Sequence, residues 1–134
     1  MTRKRHIAIV TSGLGAGGAE RVIAQITGHW ARQGHKVSII SFDRPDDIVY
    51  HKLDRNITIH RLAIMPRRPK EISKNKWQRR FSGLSVMFRR VIALRRFIKA
   101  ERPDLLFSFL TKINLIALIA TIGLRVPVGV AERN

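Results

Sequence analysis

The sequence predicts a doubly wound α/β domain, with a mainly parallel sheet and helices on both of its faces. Short runs rich in Val, Ile, Leu and Phe alternate along the chain with stretches whose apolar residues recur at helical spacing. The strand-like runs are almost continuously apolar, which is typical of parallel strands covered on both sides. The first connections are short, as in a right-handed βαβ unit.

The first half of the chain supplies three strands and one helix. His6–Ser12 reads as a buried strand, and Ala19–Gln33 carries apolar residues on one helical face. Gly34 is a helix stop signal, and the strand Lys36–Phe42 follows at once. After a polar, turn-rich stretch, Ile57–Ile64 is predicted as the third strand.

The second half continues the alternation. Phe81–Ala100 fits a long amphipathic helix that Pro103 ends, and Leu105–Leu110 is the fourth strand. Ile113–Leu124 is the longest apolar run, much shorter than the about 20 residues of a membrane-spanning helix, so we expect a buried helix. Val126–Ala131 is the fifth strand.

Composition narrows the function classes. The 134 residues form one domain at most and contain no cysteine, which excludes disulfides and thiolate chemistry and suits a reducing cytoplasm. The five histidines are scattered without ligand spacing, so we expect no metal site. The basic N-terminus is followed by an apolar stretch that ends early, at Gly13, which disfavours a secretion signal.

The net charge of +17 points to an anionic partner. Half of the 26 Lys and Arg residues lie between Pro66 and Arg102, where the first part reads as an exposed loop. The helix that follows could be a solvated charged face, a membrane-surface element or a nucleic-acid binder. No nucleic-acid module accompanies the charge, so we expect an anionic membrane surface and no nucleic acid. The residues predicted to face the membrane are Arg89, Arg90, Arg95, Arg96 and Lys99.

A glycine-rich loop joins the first strand to the first helix and predicts a phosphate or diphosphate site. Its four glycines let a ligand approach the backbone, and the first amides of the helix point at that ligand. The predicted diphosphate loop contains Gly15, Gly17, Gly18, Ala19 and Glu20. The pattern also fits G-x-G-x-x-G with Asp43 as a ribose ligand, which would indicate a dinucleotide site. A simple packing turn is the third interpretation.

Two further segments follow strands four and five and should meet the loop at one cleft, because ligands bind at the carboxyl ends of parallel strands. The predicted cleft residues are Ser108, Thr111, Lys112, Asn114, Glu132, Arg133 and Asn134. Taken singly, Thr111 or Asn114 could instead cap the following helix.

The chain resembles family-4 glycosyltransferases of the GT-B type. The segments that carry the resemblance are Gly17–Arg21, Trp30, Gly34–Val37, Pro103-Asp104, Ser108–Thr111, Asn114, Val126-Pro127 and Glu132–Asn134. Within that family the match looks like a branch that extends lipid-linked sugars for surface polysaccharides and glycans. The resemblance implies two Rossmann-like domains with the active site between them. The N-terminal domain receives the acceptor, and its glycine loop approaches the diphosphate of a nucleotide-sugar donor.

From the resemblance we expect a transferase that uses a nucleotide sugar, a lipid-linked or other glycan acceptor and no cofactor. We expect it in the cytoplasm, peripheral at the inner face of the membrane. The family's two glutamates eight positions apart are missing, and Phe109-Leu110 stand where many relatives place a histidine, so no catalytic residue is assigned. Residues 1–134 are therefore expected to be a partial N-terminal domain that lacks the donor-binding domain and is inactive alone. The alternatives are the NAD(P)-binding domain of an oxidoreductase and a basic membrane or nucleic-acid-binding module.

Overall fold

The computed structural model describes residues 3–65 and 76–132, without the side chains at 76–79, 81 and 82. Strands and helices alternate in these ranges, except that the third strand follows the second without an intervening helix, as the sequence predicts. The elements are β1 (His6–Thr11), α1 (Gly18–Arg32), β2 (Lys36–Ser41), β3 (Thr58–Arg61), α2 (Lys76–Glu101), β4 (Leu105–Phe109), α3 (Thr111–Ala120) and β5 (Val128–Ala131).

The described strands form one parallel sheet in the order β3-β2-β1-β4-β5, so the predicted parallel α/β fold is confirmed. β1 is the central strand, as its two-sided hydrophobicity predicts. The strand order reverses between β1 and β4, because α1 leads from β1 to one side of the sheet while β4 leads to the other. In open α/β sheets such a reversal leaves a crevice at the carboxyl ends of the two strands.

Each face of the sheet has its own apolar core, which confirms helices on both faces. On one face, Ile9, Val37 and Ile39 pack with Ile23 of α1. On the other face, α2 and α3 cover the side chains of opposite pleat. That second core contains Ala8, Val10, Ile40, Phe42, Ile64, Leu94, Ile98, Leu106, Ile113, Ile116, Ala117 and Ala120. Neighbouring side chains of a strand point to opposite faces of the sheet. A strand that is covered on both faces therefore needs apolar residues at consecutive positions.

The prediction that Ile113–Leu124 is a buried helix is wrong in two respects. The helix runs from Thr111 to Ala120, and only the face that meets the sheet and α2 is buried. The large apolar side chains exposed on or just after it are Leu115, Leu118, Ile119 and Ile122. A helix in the outer layer of a sheet domain has one covered side, so uniform hydrophobicity leaves apolar groups outside.

Other boundaries differ from the predictions by a few residues. α2 begins at Lys76, before the predicted Phe81, and β3 is confined to Thr58–Arg61. The regular register with β2 ends at Arg61, although the N–H of the buried Ile64 still donates to the carbonyl of Phe42 at 3.0 Å, so hydrophobicity overestimates the length of the strand.

The predicted exposed loop after Pro66 lies in 66–75, outside the described residues. Among the described helices, none has an apolar stretch long enough to cross a membrane. Within the same residues, no group of three or more acidic or histidine side chains is arranged to hold a metal ion.

Candidate functional site

The carboxyl ends of β1 and β4 bring the glycine loop beside the turn that follows β4. The two strands pair directly, with Val10 opposite Ser108 near their ends. β5 pairs with β4 and places Ala131 beside Phe109. The segments that the sequence predicts for one cleft therefore leave the same edge of the sheet, and Glu132 is exposed there. Arg133 and Asn134 lie outside the described residues.

The first half of the glycine loop is anchored at Leu14. Its side chain is 3% exposed and packs in the core under α1. Its backbone N–H donates to Oδ2 of Asp43 at 3.3 Å, and its carbonyl accepts the N–H of Tyr50 at 3.0 Å. Both backbone groups of Leu14 are therefore held by the segment that follows β2.

The second half of the loop is open. Residues from Gly15 to Gly18 are exposed, and no described atom lies within 4 Å of a methyl group built on Gly15. Gly17 is the N-cap of α1, and no side chain caps it. The first amides of a helix have no partner within it and carry partial positive charge. This arrangement can bind an anion through backbone N–H groups.

Glu20 places a negative charge at the same point. A methyl group built on Gly17 would overlap the Glu20 carboxylate, so this acid lies against the loop. An acid in the first turn of a helix interacts favourably with the helix dipole. An anion that binds at these amides would therefore either displace the Glu20 carboxylate or bind beside this like charge.

The structure does not support Asp43 as a ribose ligand. The residue is 5% exposed, and its Oδ1 accepts the hydroxyl of Ser41. Oδ2 accepts the N–H of Leu14 and a guanidinium N–H of Arg61 at 3.2 Å. Both carboxylate oxygens are occupied inside the protein, which also removes the main sequence argument for a dinucleotide site.

The turn after β4 is held by a buried network around Asn114. Its Oδ1 accepts the hydroxyl of Ser108 at 2.7 Å, and its Nδ2 donates to the carbonyl of Ala131 at 3.2 Å. The N-cap of α3 is Leu110, with a left-handed φ of 78° and no side-chain cap, so the alternative interpretation of Thr111 or Asn114 as the N-cap is wrong. Asn114 instead ties β4, α3 and β5 together.

The predicted cleft residues therefore divide into two kinds. Ser108 and Asn114 are buried and fix the shape of the edge, whereas Thr111 and Lys112 are exposed at the start of α3. The exposed pair can contact a ligand directly. Sequence reasoning missed Asp43, Arg61 and Tyr50 as supports of the loop, because no local pattern marks hydrogen bonds across such separations.

A groove of about 630 Å³ lies between α2 and α3. Both helices run antiparallel to the strands and begin at the carboxyl edge, and the groove lies along their N-terminal halves. Most of its lining is apolar, and the cationic residues in the lining are the exposed Arg80 and Lys112 and the half-buried Arg90. The lining residues are Arg80, Gly83, Leu84, Val86, Met87, Arg90, Lys112, Leu115 and Ile116.

The five basic residues predicted to face a membrane differ in their surroundings. Arg90 is half-buried, and burial lowers the pKa of its guanidinium. Arg95 donates to the carbonyls of Ala120 and Ile122 at the end of α3. These two guanidinium groups make contacts within the protein, whereas the other three basic side chains are exposed. The exposed members are Arg89, Arg96 and Lys99.

Comparison with known proteins identifies relatives. The sequence model of the family described as Glycosyltransferase Family 4 matches residues 16–131. A GalNAc-α-(1→4)-GalNAc-α-(1→3)-diNAcBac-PP-undecaprenol α-1,4-N-acetyl-D-galactosaminyltransferase of Campylobacter jejuni is 25% identical over 128 residues, which are 96% of this chain and 32% of the relative.

Solved structures share the fold. A glycosyltransferase from Rickettsia africae superposes with a TM-score of 0.64 at 20% identity, over 96% of this chain and 30% of its own. Sucrose-phosphate synthase from Thermosynechococcus elongatus gives 0.65 at 13% identity, over 96% and 32%. The chain thus spans about a third of the length of each of these three proteins.

Proposed function

This chain belongs to glycosyltransferase family 4, and we propose that it forms the acceptor-side part of an enzyme that moves a sugar from a nucleotide-sugar donor to a lipid-linked glycan. One observation carries the proposal: an open glycine loop and a mostly apolar groove with cationic residues in its lining lie at the same edge of the sheet. The name of the Campylobacter relative, which acts on a PP-undecaprenol glycan, supports the lipid-linked class of acceptor. In this proposal the donor-binding domain lies outside residues 1–134, and no residue of the chain is assigned a catalytic role.

The glycine loop is the proposed donor-diphosphate site. In the transfer, the bond between the anomeric carbon and the diphosphate oxygen breaks, and a bond forms between that carbon and an acceptor hydroxyl oxygen. The hydroxyl proton is released, and the diphosphate leaves with the bonding electron pair. Amides between Gly15 and Ala19 stabilise that growing negative charge, which is the type of contribution made by an oxyanion hole. Glu20 is proposed to orient the loop rather than to bind the anion.

The groove between α2 and α3 is the proposed seat for the apolar part of the acceptor. Leu84, Met87 and Leu115 supply apolar surface, while Lys112 and Arg80 place positive charge where an anionic headgroup would emerge. Thr111, Lys112 and Glu132 are proposed to contact the acceptor, and Ser108 and Asn114 to shape the edge. Arg133 and Asn134 stay in the proposal by sequence position.

Farnesyl diphosphate, a short isoprenyl diphosphate, tests the groove with the chain itself. We expect saturable shifts of methyl signals from groove residues in NMR titrations of residues 1–134. Leu115→Asp should weaken binding at least tenfold, because a carboxylate would enter the apolar floor. Leu118→Asp is the matched control: both leucines are on α3 and 50% exposed, but only Leu115 is among the groove residues. Equal losses in the two variants, or no binding by the wild-type chain, would refute the acceptor seat.

A parallel titration with NAD and NADP addresses the oxidoreductase alternative. We expect no tight binding, since the Asp43 carboxylate is already occupied. Tight binding that is weakened by Asp43→Ala would replace the transferase proposal.

Contact with an anionic membrane is a second proposed property, and exposed groups on α2 and α3 favour it. Leu84, Phe88 and Ile92 are exposed at four-residue spacing along α2, and the exposed leucines of α3 add further apolar surface. Arg89, Arg96 and Lys99 supply charge on the same helix. An exposed apolar stripe flanked by basic residues is typical of interfacial helices. We propose that the enzyme lies at the cytoplasmic face of the membrane. Nucleotide sugars are present on that side, and a chain without cysteine suits the reducing cytoplasm.

Vesicle binding tests this property. Each basic residue near an anionic surface contributes about 1 kcal/mol, so changing Arg89, Arg96 and Lys99 to Gln should weaken binding about a hundredfold. Changing Arg21, Arg32 and Arg55 to Gln removes the same charge from exposed positions elsewhere and should cost much less. The claim fails if both triple variants lose equally, if neutral vesicles bind as well as anionic ones, or if RNA binds more tightly than vesicles.

A further inference from the structure

We propose that Asp43 and Arg61 are positioning residues, which set the height and orientation of the glycine loop over the sheet edge. This inference rests on the proposed function of the loop as a diphosphate site. Asp43 lies 29 residues after Leu14 in sequence and accepts its backbone N–H. It contacts no proposed ligand atom and acts through the loop.

Leu14 is the fixed point from which the open part of the loop extends. Its side chain is in the core, its N–H is bound by Asp43 and its carbonyl is bound by the N–H of Tyr50. A further hydrogen bond, from the hydroxyl of Thr11 to the carbonyl of Gly13, holds the approach to it. Gly15 begins the exposed part directly afterwards, so the placement of Leu14 decides where the ligand-binding amides lie.

Arg61 keeps the carboxylate of Asp43 in place. Its guanidinium donates to Oδ2 of Asp43 at 3.2 Å and to the carbonyls of Pro45 and Asp47 at 2.9 and 2.7 Å. The ion pair is nearly buried, with side-chain exposures of 12% for Arg61 and 7% for Asp43. A buried carboxylate needs such a partner, because an unpaired charge is costly away from water. Arg61 is the last residue of β3, so this pair connects the edge strand to the loop.

The pair therefore does more than hold the fold together. Hydrogen bonds from Ser41 and Arg61 would be enough for a carboxylate that served only the core. The Asp43 carboxylate also accepts the N–H of Leu14, the residue directly before the open part of the loop. Rigid support of a binding group reduces the entropy lost on binding and keeps its dipoles aligned. Loss of that support should weaken anion binding at amides that Asp43 never touches.

The experiment compares three variants of residues 1–134 by amide hydrogen exchange and by titration with inorganic pyrophosphate. Asp43→Ala removes the acceptor for Leu14. Asp43→Asn keeps an oxygen at that place and can still bond both Arg61 and Ser41. Ser41→Ala is the matched control, because it removes a buried hydrogen bond to the same carboxylate and leaves the Leu14 contact.

We expect Asp43→Ala to speed exchange of the Leu14 amide at least tenfold and to weaken pyrophosphate binding about tenfold. Asp43→Asn should restore both to within about threefold of wild type. Ser41→Ala should lower the thermal midpoint while leaving loop exchange and pyrophosphate affinity within twofold. If Asp43→Ala does not fold, Asp43→Ser takes its place, because the serine side chain is too short for its hydroxyl to reach the Leu14 amide.

The inference is overturned if Asp43→Ala behaves as Ser41→Ala does, or if loop exchange stays at the wild-type rate. Failure of the proposed function has a different signature. In that case pyrophosphate leaves the amide signals of Gly15–Ala19 unchanged in the wild-type chain, while the exchange rates still decide whether Asp43 holds the loop.

Discussion

The guanidinium carbon of Arg90 lies 4.7 Å from the centroid of the Phe42 ring. Phe42 is fully buried just after β2, and Nε of Arg90 donates to the carbonyl of Ile64 at 2.9 Å. A guanidinium over an aromatic face is attracted by the ring quadrupole, more strongly when it is partly desolvated. Although Arg90 lies in one of the most basic stretches of the chain, its guanidinium holds α2 against the sheet.

Arg90→Ala should destabilise the fold by about 1 to 3 kcal/mol. It removes the cation–π contact and a charged hydrogen bond, and it leaves the Ile64 carbonyl without that donor. Arg89→Ala is the matched control, since Arg89 is exposed on the same turn and should change stability by less than about 0.5 kcal/mol. Urea unfolding of both variants measures the difference, and equal stabilities would contradict the structural role of Arg90.

Sequence patterns predicted most of this fold because they report burial on the two faces of a sheet. The continuous apolar run Ile7–Val10 required cover on both sides, and β1 is central with a core on each face. The same reasoning failed for α3, since apolar composition does not tell which side of a helix meets the sheet. Leu115 and Leu118 are as hydrophobic as their buried neighbours and are half exposed.

The sequence predicts where the candidate site lies, but it does not predict the hydrogen bonds that support the glycine loop. Glycines that follow a strand mark the loop, because the backbone requirement is local. The bonds that hold the loop come from Asp43 and Tyr50, and no spacing rule relates these residues to Leu14. Likewise, the difference between Arg89 and Arg90 depends on what α2 packs against, which composition does not reveal.

Stability should fall as the pH drops from about 7 to 5, and His6 should contribute to that loss. Burial, and secondarily Lys36, lower the pKa of His6, while Glu101 and Asp104 oppose the shift. The unfolded chain then binds a proton more readily than the folded chain, so the contribution is present above the unfolded pKa of 6.5 and is lost below it. The effect is well under about 1 kcal/mol because the ring is partly exposed.

His6→Gln should flatten the pH dependence of unfolding in this range, since glutamine does not titrate and can still bond Ser38, which now lies 2.8 Å from Nε2 of His6. Urea unfolding at pH 7, 6 and 5 compares this variant with the wild-type chain. A slope in His6→Gln as steep as that of wild type would remove the claim.

Gly129→Ala should destabilise the sheet by about 1 to 3 kcal/mol through overpacking. A methyl group at Gly129 would lie 2.5 Å from Cε1 of Phe107, its partner across β4 and β5. The Phe107 ring stacks on Trp30 of α1 with centroids 5.3 Å apart, so it cannot retreat without moving that helix. Gly15→Ala, where nothing described lies nearby, should shift stability by less than about 0.5 kcal/mol. Similar thermal midpoints for the two variants would show that the ring yields.

Glu20→Gln should strengthen binding of inorganic pyrophosphate to the isolated chain by about fivefold at low salt. Its carboxylate lies against Gly17, at the helix end where the anion is proposed to bind, and removing a like charge at close range favours the ligand. Because this repulsion is screened, the gain should shrink as ionic strength rises. Glu101→Gln is the matched control: it removes the same charge at the far end of α2, where Glu101 faces Lys36 at 3.7 Å, and should leave affinity unchanged. Weaker binding by Glu20→Gln would mean that the orienting contribution of the carboxylate outweighs its repulsion of the anion, and the repulsion argument would be wrong.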